Sequence, residues 1–564
     1  MKKIRIALAQ MNTIVGDLYQ NAKEILSFVE TAKQVDADVV VFPELSITGY
    51  PPEDLLFKKH FVDDNIKVLH SLASKIKDII VVVGFVDRKR NKKLYNSAAV
   101  ISSGKIKGVY AKECLPNYGV FDEKRYFFKG EKNPIFSLDG IRFGISICED
   151  IWEEKGLSAK QVKDGSQILL NLSASPYCCG KTIERRSLLV KRAKQVKAFV
   201  CCCNLVGGQD ELVFDGSSVV VSPKGEVLAE GRQFKDDLIV VDIEAKEKKI
   251  SKNVKICVLK QDVSTEKVFI KSKKKKRISV NEEIYNALVC GTRDYIIKNG
   301  FKKITLGISG GIDSALVATI ASDAIGKENV LGVSMPSQHT SKGTREDAQR
   351  LAKNLGIDFI EIPIKQVYQS YVQALKKSFL GQKVNIAEEN LQARIRGNIL
   401  MALSNKFGHL VLTTGNKSEF AVGYCTLYGD MAGGFAPIKD VPKTKVYKLV
   451  DYRNQKEGLD LIPKSIIKRA PTAELKKGQK DQDSLPPYDV LDSILEAYVE
   501  GDSSLKSLKK KKINGNLAKK IIGLVDCVEY KRRQSPPGIK ITPKAFGRDR
   551  RLPITNRYQE KKNM

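Results

Sequence analysis

Residues 304–314 read Ile-Thr-Leu-Gly-Ile-Ser-Gly-Gly-Ile-Asp-Ser, and this stretch decides the architecture of the carboxy-terminal half. An apolar run, 304–308, turns sharply at Ser309-Gly310-Gly311-Ile312-Asp313-Ser314 and opens a helical pattern over 313–325. Glycines let a backbone turn tightly and approach a ligand, and a helix N-terminus offers free N–H groups and a positive dipole to an anion. Strand, glycine turn and helix together predict a phosphate-binding loop. A Walker A loop would need Gly-Lys-[Ser/Thr] at this point, and no such lysine is present. Outward from the loop, helical periodicity at 281–299, 344–355 and 386–407 alternates with apolar strands at 303–308, 330–334, 359–362 and 409–413. Strands separated by helices predict an α/β fold with a parallel sheet. Leu412-Thr413-Thr414-Gly415-Asn416-Lys417-Ser418-Glu419 closes the last of these strands, as a ligand loop at the carboxyl end of a parallel strand should.

The amino-terminal half alternates too. Strands are predicted at 4–9, 39–42, 79–83, 143–147, 168–172, 199–203, 218–221 and 238–243, with helices at 17–35 and 181–197. The pattern weakens over 254–268, and residues 271–277 (KSKKKKR) form a self-repelling run suited to an exposed linker. The expected organisation is a domain over 1–265, a basic linker over 266–280 and a second domain over 281–564, with no internal repeat. The polar, proline-rich stretch 476–487 is expected to be a mobile loop. Three residues stand at predicted strand ends: Glu44 in Phe-Pro-Glu-Leu, Lys112 in Tyr-Ala-Lys-Glu-Cys-Leu-Pro, and Cys148 in Ile-Cys-Glu-Asp. Singly, each is an ordinary surface or core position. In that order, they form a constellation.

Composition excludes several classes. With 564 residues, 42% of them hydrophobic, the chain can bury sizeable cores and is not a disordered tail. The opening MKKIRIALAQMNTIVGD interrupts any apolar core with Gln10, Asn12 and Asp17, against a signal peptide, and no apolar run approaches the ~20 residues of a membrane span. Eleven cysteines, an odd number, fit reduced thiols in a cytoplasmic protein. Four histidines and no C-x-x-C spacing exclude zinc fingers, HExxH metalloproteases and thioredoxin-type sites. The formal charge of +31, from 96 basic and 65 acidic residues, has two readings: a lysine-rich solvated surface, or attraction for polyanions. The runs 271–277 and 509–512 lack the interleaved aromatics of a single-strand nucleic-acid platform.

The pattern SGGxDS resembles the loop of the ATP pyrophosphatases, which cleave ATP between the α and β phosphates. The longer run TGNKSE…GYxTxYGD, Thr414 to Asp430, resembles NAD synthetase. Residues 389–396 (ENLQARIR), 535–542 (SPPGIKIT) and Lys544 fit the same family. That resemblance implies a doubly wound parallel sheet and an ATP site at Gly307, Ile308, Ser309, Gly310, Gly311, Ile312, Asp313, Ser314 and Thr414. It implies Mg²⁺ on Asp313 and Glu419, and deamido-NAD at Asn390, Glu419, Tyr424 and Lys544. Glu44, Lys112 and Cys148 together resemble the nitrilase superfamily, implying an α-β-β-α sandwich and a thiol amidase. There the thiolate attacks an amide, the carboxylate relays the proton, the ammonium stabilises the oxyanion, and the lysine lowers the cysteine pKa. Glu123 fits an auxiliary glutamate of some relatives.

Residues 175–182 (SPYCCGKT) nearly spell a Walker A loop, but Ser175 replaces its first glycine. They fit the glutaminase pattern instead, with Tyr118, Ser175 and Lys181 as glutamine contacts. Cys201-Cys202-Cys203 reads as buried structural thiols; Cys178 and Cys179 stay open between structural thiols and neighbours of the glutamine pocket. Over its full length the chain resembles the glutamine-dependent NAD synthetase family. This implies a cytoplasmic homo-oligomeric ligase acting on glutamine, ATP and deamido-NAD, with no nucleic-acid or membrane partner. Other ammonia-using ATP pyrophosphatases, such as GMP or asparagine synthetases, generally carry different glutaminase domains. An RNA-modifying ATP pyrophosphatase would account for both the positive charge and SGGxDS.

Overall fold

The computed structural model describes residues 2–154, 156–246, 248, 250, 254, 256–260, 270, 278–476, 478–510 and 513–558. The basic run 271–277, most of the expected linker and Lys511–Lys512 therefore lie outside the described residues. The chain folds as two compact units, Met1–Ile278 and Ser279–Met564.

Unit 1 holds two large sheets. The first runs β14-β1-β2-β3-β4-β5, where β1 is Lys2–Gln10, β2 Val39–Val41, β3 Ile80–Arg88, β4 Leu94–Ser102, β5 Lys105–Ala111 and β14 Asp237–Ala245. The second runs β13-β12-β9-β8-β7-β6-β15, where β6 is Ile135–Leu138, β7 Ile141–Ile147, β8 Ile168–Ser173, β9 Phe199–Asn204, β12 Val219–Val221, β13 Val227–Glu230 and β15 Ile256–Leu259. A short hairpin, β10 (Val206–Gln209) with β11 (Leu212–Asp215), completes the unit. Side chains alternate across a strand, and the alternation sorts them between layers. Ile4, Ile6 and Leu8 of β1 meet Ile145, Ile147, Leu170 and Leu172 in the core between the sheets. Ala7 and Ala9 face the other way, toward helices Leu18–Gln34 and Lys59–Lys75. On the second sheet, Cys201 and Cys203 enter the inter-sheet core, while Cys202 joins Leu189 and Ala193 of helix Lys181–Val196. The result is the expected α-β-β-α sandwich. The cysteine triplet is packing, divided between two layers.

Unit 2 is built on four parallel strands in the order β18-β17-β16-β19, where β16 is Ile304–Gly307, β17 Val330–Ser334, β18 Asp358–Glu361 and β19 Leu410–Leu412. Strand order reverses between β16 and β19, the point at which a doubly wound sheet opens a crevice beyond its carboxyl ends. The helix after β16, Ile312–Ile325, buries Ile312, Ala315, Leu316, Val317, Ala318 and Ile320, so it is covered on several sides. The described residues of stretch 476–487, expected to form a mobile loop, carry local structure. They include a 3₁₀ turn at Asp481–Asp483, and the buried Asp481 carboxylate accepts the hydroxyls of Tyr424 at 3.3 Å and Tyr488 at 2.8 Å. A carboxylate so engaged fixes a segment whose composition alone reads as solvated.

Candidate active sites

In unit 1, Glu44, Lys112 and Cys148 follow β2, β5 and β7, and all three are buried. Lys112 Nζ donates to Glu44 Oε1 at 2.6 Å and to Glu123 Oε1 at 2.8 Å. Asn96 Nδ2, on β4, donates to the same Glu44 oxygen at 2.7 Å, and the Ala174 N–H, just past β8, donates to Glu44 Oε2 at 3.0 Å. Tyr50 donates its hydroxyl to Glu123 at 3.0 Å. Glu44 thus has both oxygens fixed by donors from three strand ends or interiors, a rigid frame for a buried carboxylate. Cys148 begins a 3₁₀ turn, Cys148–Ile151, with φ +42°, a left-handed conformation that costs a side-chain-bearing residue about 1–3 kcal/mol. Asp150 of that turn is fully buried and accepts from Ile147 N–H at 2.8 Å, Tyr110 Oη at 2.7 Å, Glu113 N–H at 3.1 Å and Cys114 N–H at 2.8 Å.

The electrostatics bear out the lowering of the Cys148 pKa by Lys112 but show it outweighed. Burial opposes the charge on Lys112, but Glu123 and Glu44 outweigh it and hold the ammonium pKa well above its ordinary value. Burial, followed by the Glu44 charge, pushes the Cys148 thiol well above its ordinary pKa although Lys112 pulls it down. Burial likewise raises Glu123. One ammonium already shared by two carboxylates cannot also pay for a desolvated thiolate, so Cys148 rests as a neutral thiol.

The expected glutamine contacts flank this centre. Tyr118 is exposed, and its hydroxyl donates to Glu149, next to Cys148, at 3.0 Å. Ser175 is buried beside Ala174, its N–H donating to Asn204 Oδ1 at 3.0 Å. The Lys181 ammonium pairs with Glu184 at 3.1 Å and lies 4.1 Å from the ring centroid of Trp152, the chain's single tryptophan.

In unit 2 the loops after β16 and β19 converge. Asp313 Oδ1 accepts from Asn416 Nδ2 at 2.9 Å, and its other oxygen pairs with Lys443 Nζ, which also reaches Glu419 Oε1 at 3.4 Å. Asn416 caps the helix Lys417–Val422, accepting from the Glu419 N–H at 3.1 Å. Burial first, then Asp313 and Asp481, push the Glu419 carboxyl up; Lys443 opposes them. Burial works against the Lys443 charge, but Asp313 and Glu419 raise its pKa all the same. In the loop itself, Ser314 Oγ accepts from Ser309 N–H at 3.3 Å, and Ser309 Oγ accepts from Gly311 N–H at 3.2 Å. Gly310 has φ +78° and a Cβ there would meet the Thr344 carbonyl at 2.3 Å. Arg469 Nη1 clamps the Gly310 carbonyl at 2.9 Å. Gly307 ends β16, Ile308 follows it, and Thr414 lies in the loop between β19 and Asn416.

Asn390, on helix Ile386–Phe407, accepts the Thr426 hydroxyl at 2.8 Å and so ties that helix to the GYxTxYGD run. Lys544 pairs with Asp502, and its carbonyl accepts from the buried Lys417 ammonium at 3.1 Å. Asp440 accepts the N–H groups of Ile541 at 2.9 Å and Thr542 at 2.7 Å, anchoring the SPPGIKIT segment. Two hard carboxylates, Asp313 and Glu419, already share one cation, and that donor set fits Mg²⁺. Among the described residues no three His, Cys, Asp or Glu side chains cluster to hold a metal, and Mg²⁺ generally takes one or two carboxylates and leaves its other positions to water and phosphate. Lys443, Asn96, Asn416 and Arg469 are partners that sequence reasoning did not single out. No helix among the described residues is long and apolar enough to cross a membrane.

Residues 5–249 match the carbon-nitrogen hydrolase family and residues 284–535 the NAD synthase family. A glutamine-dependent NAD(+) synthetase of Thermotoga maritima is 46% identical over 581 aligned residues, covering 99% of this chain and all of that one. Its namesake from Aquifex aeolicus is 46% identical over 569, covering 98% and 100%. The solved glutamine-dependent NAD+ synthetase from Acinetobacter baumannii, in complex with ADP, is 43% identical, with a TM-score of 0.77 over 98% of this chain and 99% of that one. A Cytophaga hutchinsonii structure, 23% identical, shares the fold with a TM-score of 0.82 over 98% of both chains.

Proposed function

The chain belongs to the glutamine-dependent NAD(+) synthetases, and from that premise we propose how its residues divide the work. The reaction amidates deamido-NAD to NAD with ATP and with ammonia drawn from glutamine. In unit 1 the Cys148 sulfur attacks the glutamine carboxamide while Glu44 takes the thiol proton. Because the resting thiol is neutral, this transfer accompanies the attack and does not precede it. Glu44 returns the proton to the departing ammonia, then removes one from the water that hydrolyses the thioester to glutamate. Lys112, locked between two carboxylates, presents its ammonium to the oxyanion without having to move. Tyr118, Ser175 and Lys181 bind the glutamine.

In unit 2 a nicotinate carboxylate oxygen attacks the α-phosphorus of ATP. Pyrophosphate leaves into the Ser309–Ser314 loop, with Thr414 on the nucleotide. Ammonia then attacks the adenylated carbonyl carbon, AMP departs, and the amide of NAD remains. Asp313 and Glu419 would hold Mg²⁺, which supplies positive charge beside the leaving phosphates. Asn390, Glu419, Tyr424 and Lys544 position deamido-NAD. The observation that carries the reading is the buried Glu44–Lys112 pair at 2.6 Å in a chain that also places SGGxDS at a sheet's switch point. The test supplies deamido-NAD, ATP, Mg²⁺ and glutamine labelled with ¹⁵N in its amide. Label in the NAD carboxamide with equimolar AMP and pyrophosphate supports the reading; stoichiometric ADP overturns the phosphate-loop assignment.

A further inference from the structure

Asp150 takes no part in the chemistry just described, yet it is among the most heavily engaged side chains of unit 1. Its four donors come from two separate places. Ile147 N–H, at 2.8 Å, belongs to the end of β7 that delivers Cys148. Tyr110 Oη at 2.7 Å, Glu113 N–H at 3.1 Å and Cys114 N–H at 2.8 Å surround Lys112 on the strand end opposite. The β5 segment that carries Lys112 and the turn that carries Cys148 belong to different sheets. The carboxylate is therefore a bolt across the sandwich, placed beside the nucleophile.

We infer that Asp150 is a positioning residue for amide hydrolysis: it sets the distance between the Cys148 sulfur and the Lys112 ammonium and holds Cys148 in its left-handed conformation. All four partners are donors, so the group must act as a pure acceptor, which only the ionised carboxylate can do. Burial outweighs the Ile147, Tyr110 and Cys114 bonds and leaves its pKa raised to about 6, still below neutral pH. A carboxamide in its place would turn an N–H toward donors on one side, loosening either the cysteine turn or the lysine segment.

The inference rests on Cys148 being the nucleophile, so Cys148→Ala is measured alongside. Asp150→Asn should lower kcat for glutamine hydrolysis about 100-fold, since a displacement near 1 Å is worth that much, and leave KM for glutamine nearly unchanged. Tyr110→Phe removes a single donor and should lower the same kcat about 10-fold. NAD formation with added ammonium salt, which runs in unit 2, should stay at the wild-type rate in both variants. Wild-type kcat in a folded Asp150→Asn protein overturns the inference. If that variant fails to fold, Tyr110→Phe decides, and an unchanged kcat there overturns it equally. A raised KM with unchanged kcat would also overturn it, because Asp150 would then shape the glutamine pocket and not the attack geometry. If Cys148→Ala still hydrolyses glutamine, the nucleophile assignment fails instead, and the two failures stay distinguishable.

Discussion

Glu44 shows what single residues contribute and what can be read of them beforehand. Its carboxylate is wholly buried with a donor on each oxygen, so Glu44→Gln keeps the size of the side chain but removes the base and the charge facing Lys112, and turns an N–H toward a donor on one side. Glutamine-driven NAD formation should fall by about 10²–10⁴-fold, the usual worth of a positioned base, while ammonium-driven synthesis continues. Steady-state rates with the two nitrogen sources check this. Lys443→Ala tests the other unit: it strands two carboxylates, Asp313 and Glu419, that now share its charge. Breaking a buried pair typically costs about 3–5 kcal/mol, so the variant should melt lower, and added MgCl₂ should narrow the gap by neutralising the same oxygens. Thermal melts with and without magnesium read this out. The triad was legible because Glu44, Lys112 and Cys148 fall in that order, each in a short recognisable run, Phe-Pro-Glu-Leu, Tyr-Ala-Lys-Glu-Cys-Leu-Pro and Ile-Cys-Glu-Asp. Asn96 and Lys443 were not. An asparagine within a strand pattern argues against the strand until its buried partner is known, and a lysine at a helix start reads as solvated. Both acquire meaning only from carboxylates distant in sequence.

At the scale of elements, the phosphate loop was legible because its strand, glycines and helix are contiguous. Gly310→Ala should disrupt it: the backbone is left-handed there, and the added carbon would meet the Thr344 carbonyl at 2.3 Å. ATP-dependent synthesis should fall by at least about 10-fold with either nitrogen source, a loss of the size expected when positioning at a phosphate site is disturbed. Glutamine hydrolysis, lodged in unit 1, should survive, and assaying glutamate release separately from NAD checks both halves. Runs of β-branched residues exposed most strands of the first sheet, yet β4 and β5 escaped. Leu94–Ser102 carries Asn96 and Ser97 in its interior, and Lys105–Ala111 alternates lysine with apolar residues and a glycine, so neither resembles a continuous apolar run. Sheet order was further from reach. Strand β14 returns to pair antiparallel with β1, Lys2 opposite Ala245, a closure set by packing of whole layers and by no local pattern.

For the whole molecule, the formal charge of +31 does not describe the loops after β16 and β19, where the carboxylates of Asp313 and Glu419 share the single charge of Lys443. The charge therefore carries no information about the substrate. The division into two units does. Cys148→Ala should abolish glutamine-driven NAD formation yet retain synthesis with ammonium salt, and that rescue should grow as pH rises, because only the unprotonated amine attacks the adenylate. A well-folded variant equally dead with both donors would place the cysteine in the wrong reaction. Glu44, Lys112 and Cys148 all lie within Met1–Ile278, and Asp313, Thr414, Glu419 and Lys544 all within Ser279–Met564. Each damaged chain thus keeps one intact half. A solution of Cys148→Ala chains mixed with Asp313→Ala chains is a population in which one partner only releases nitrogen and the other only consumes it. Its yield of NAD from glutamine, as a fraction of the wild-type yield, measures how much of the liberated ammonia travels between molecules, a traffic that no experiment on the undamaged enzyme can see.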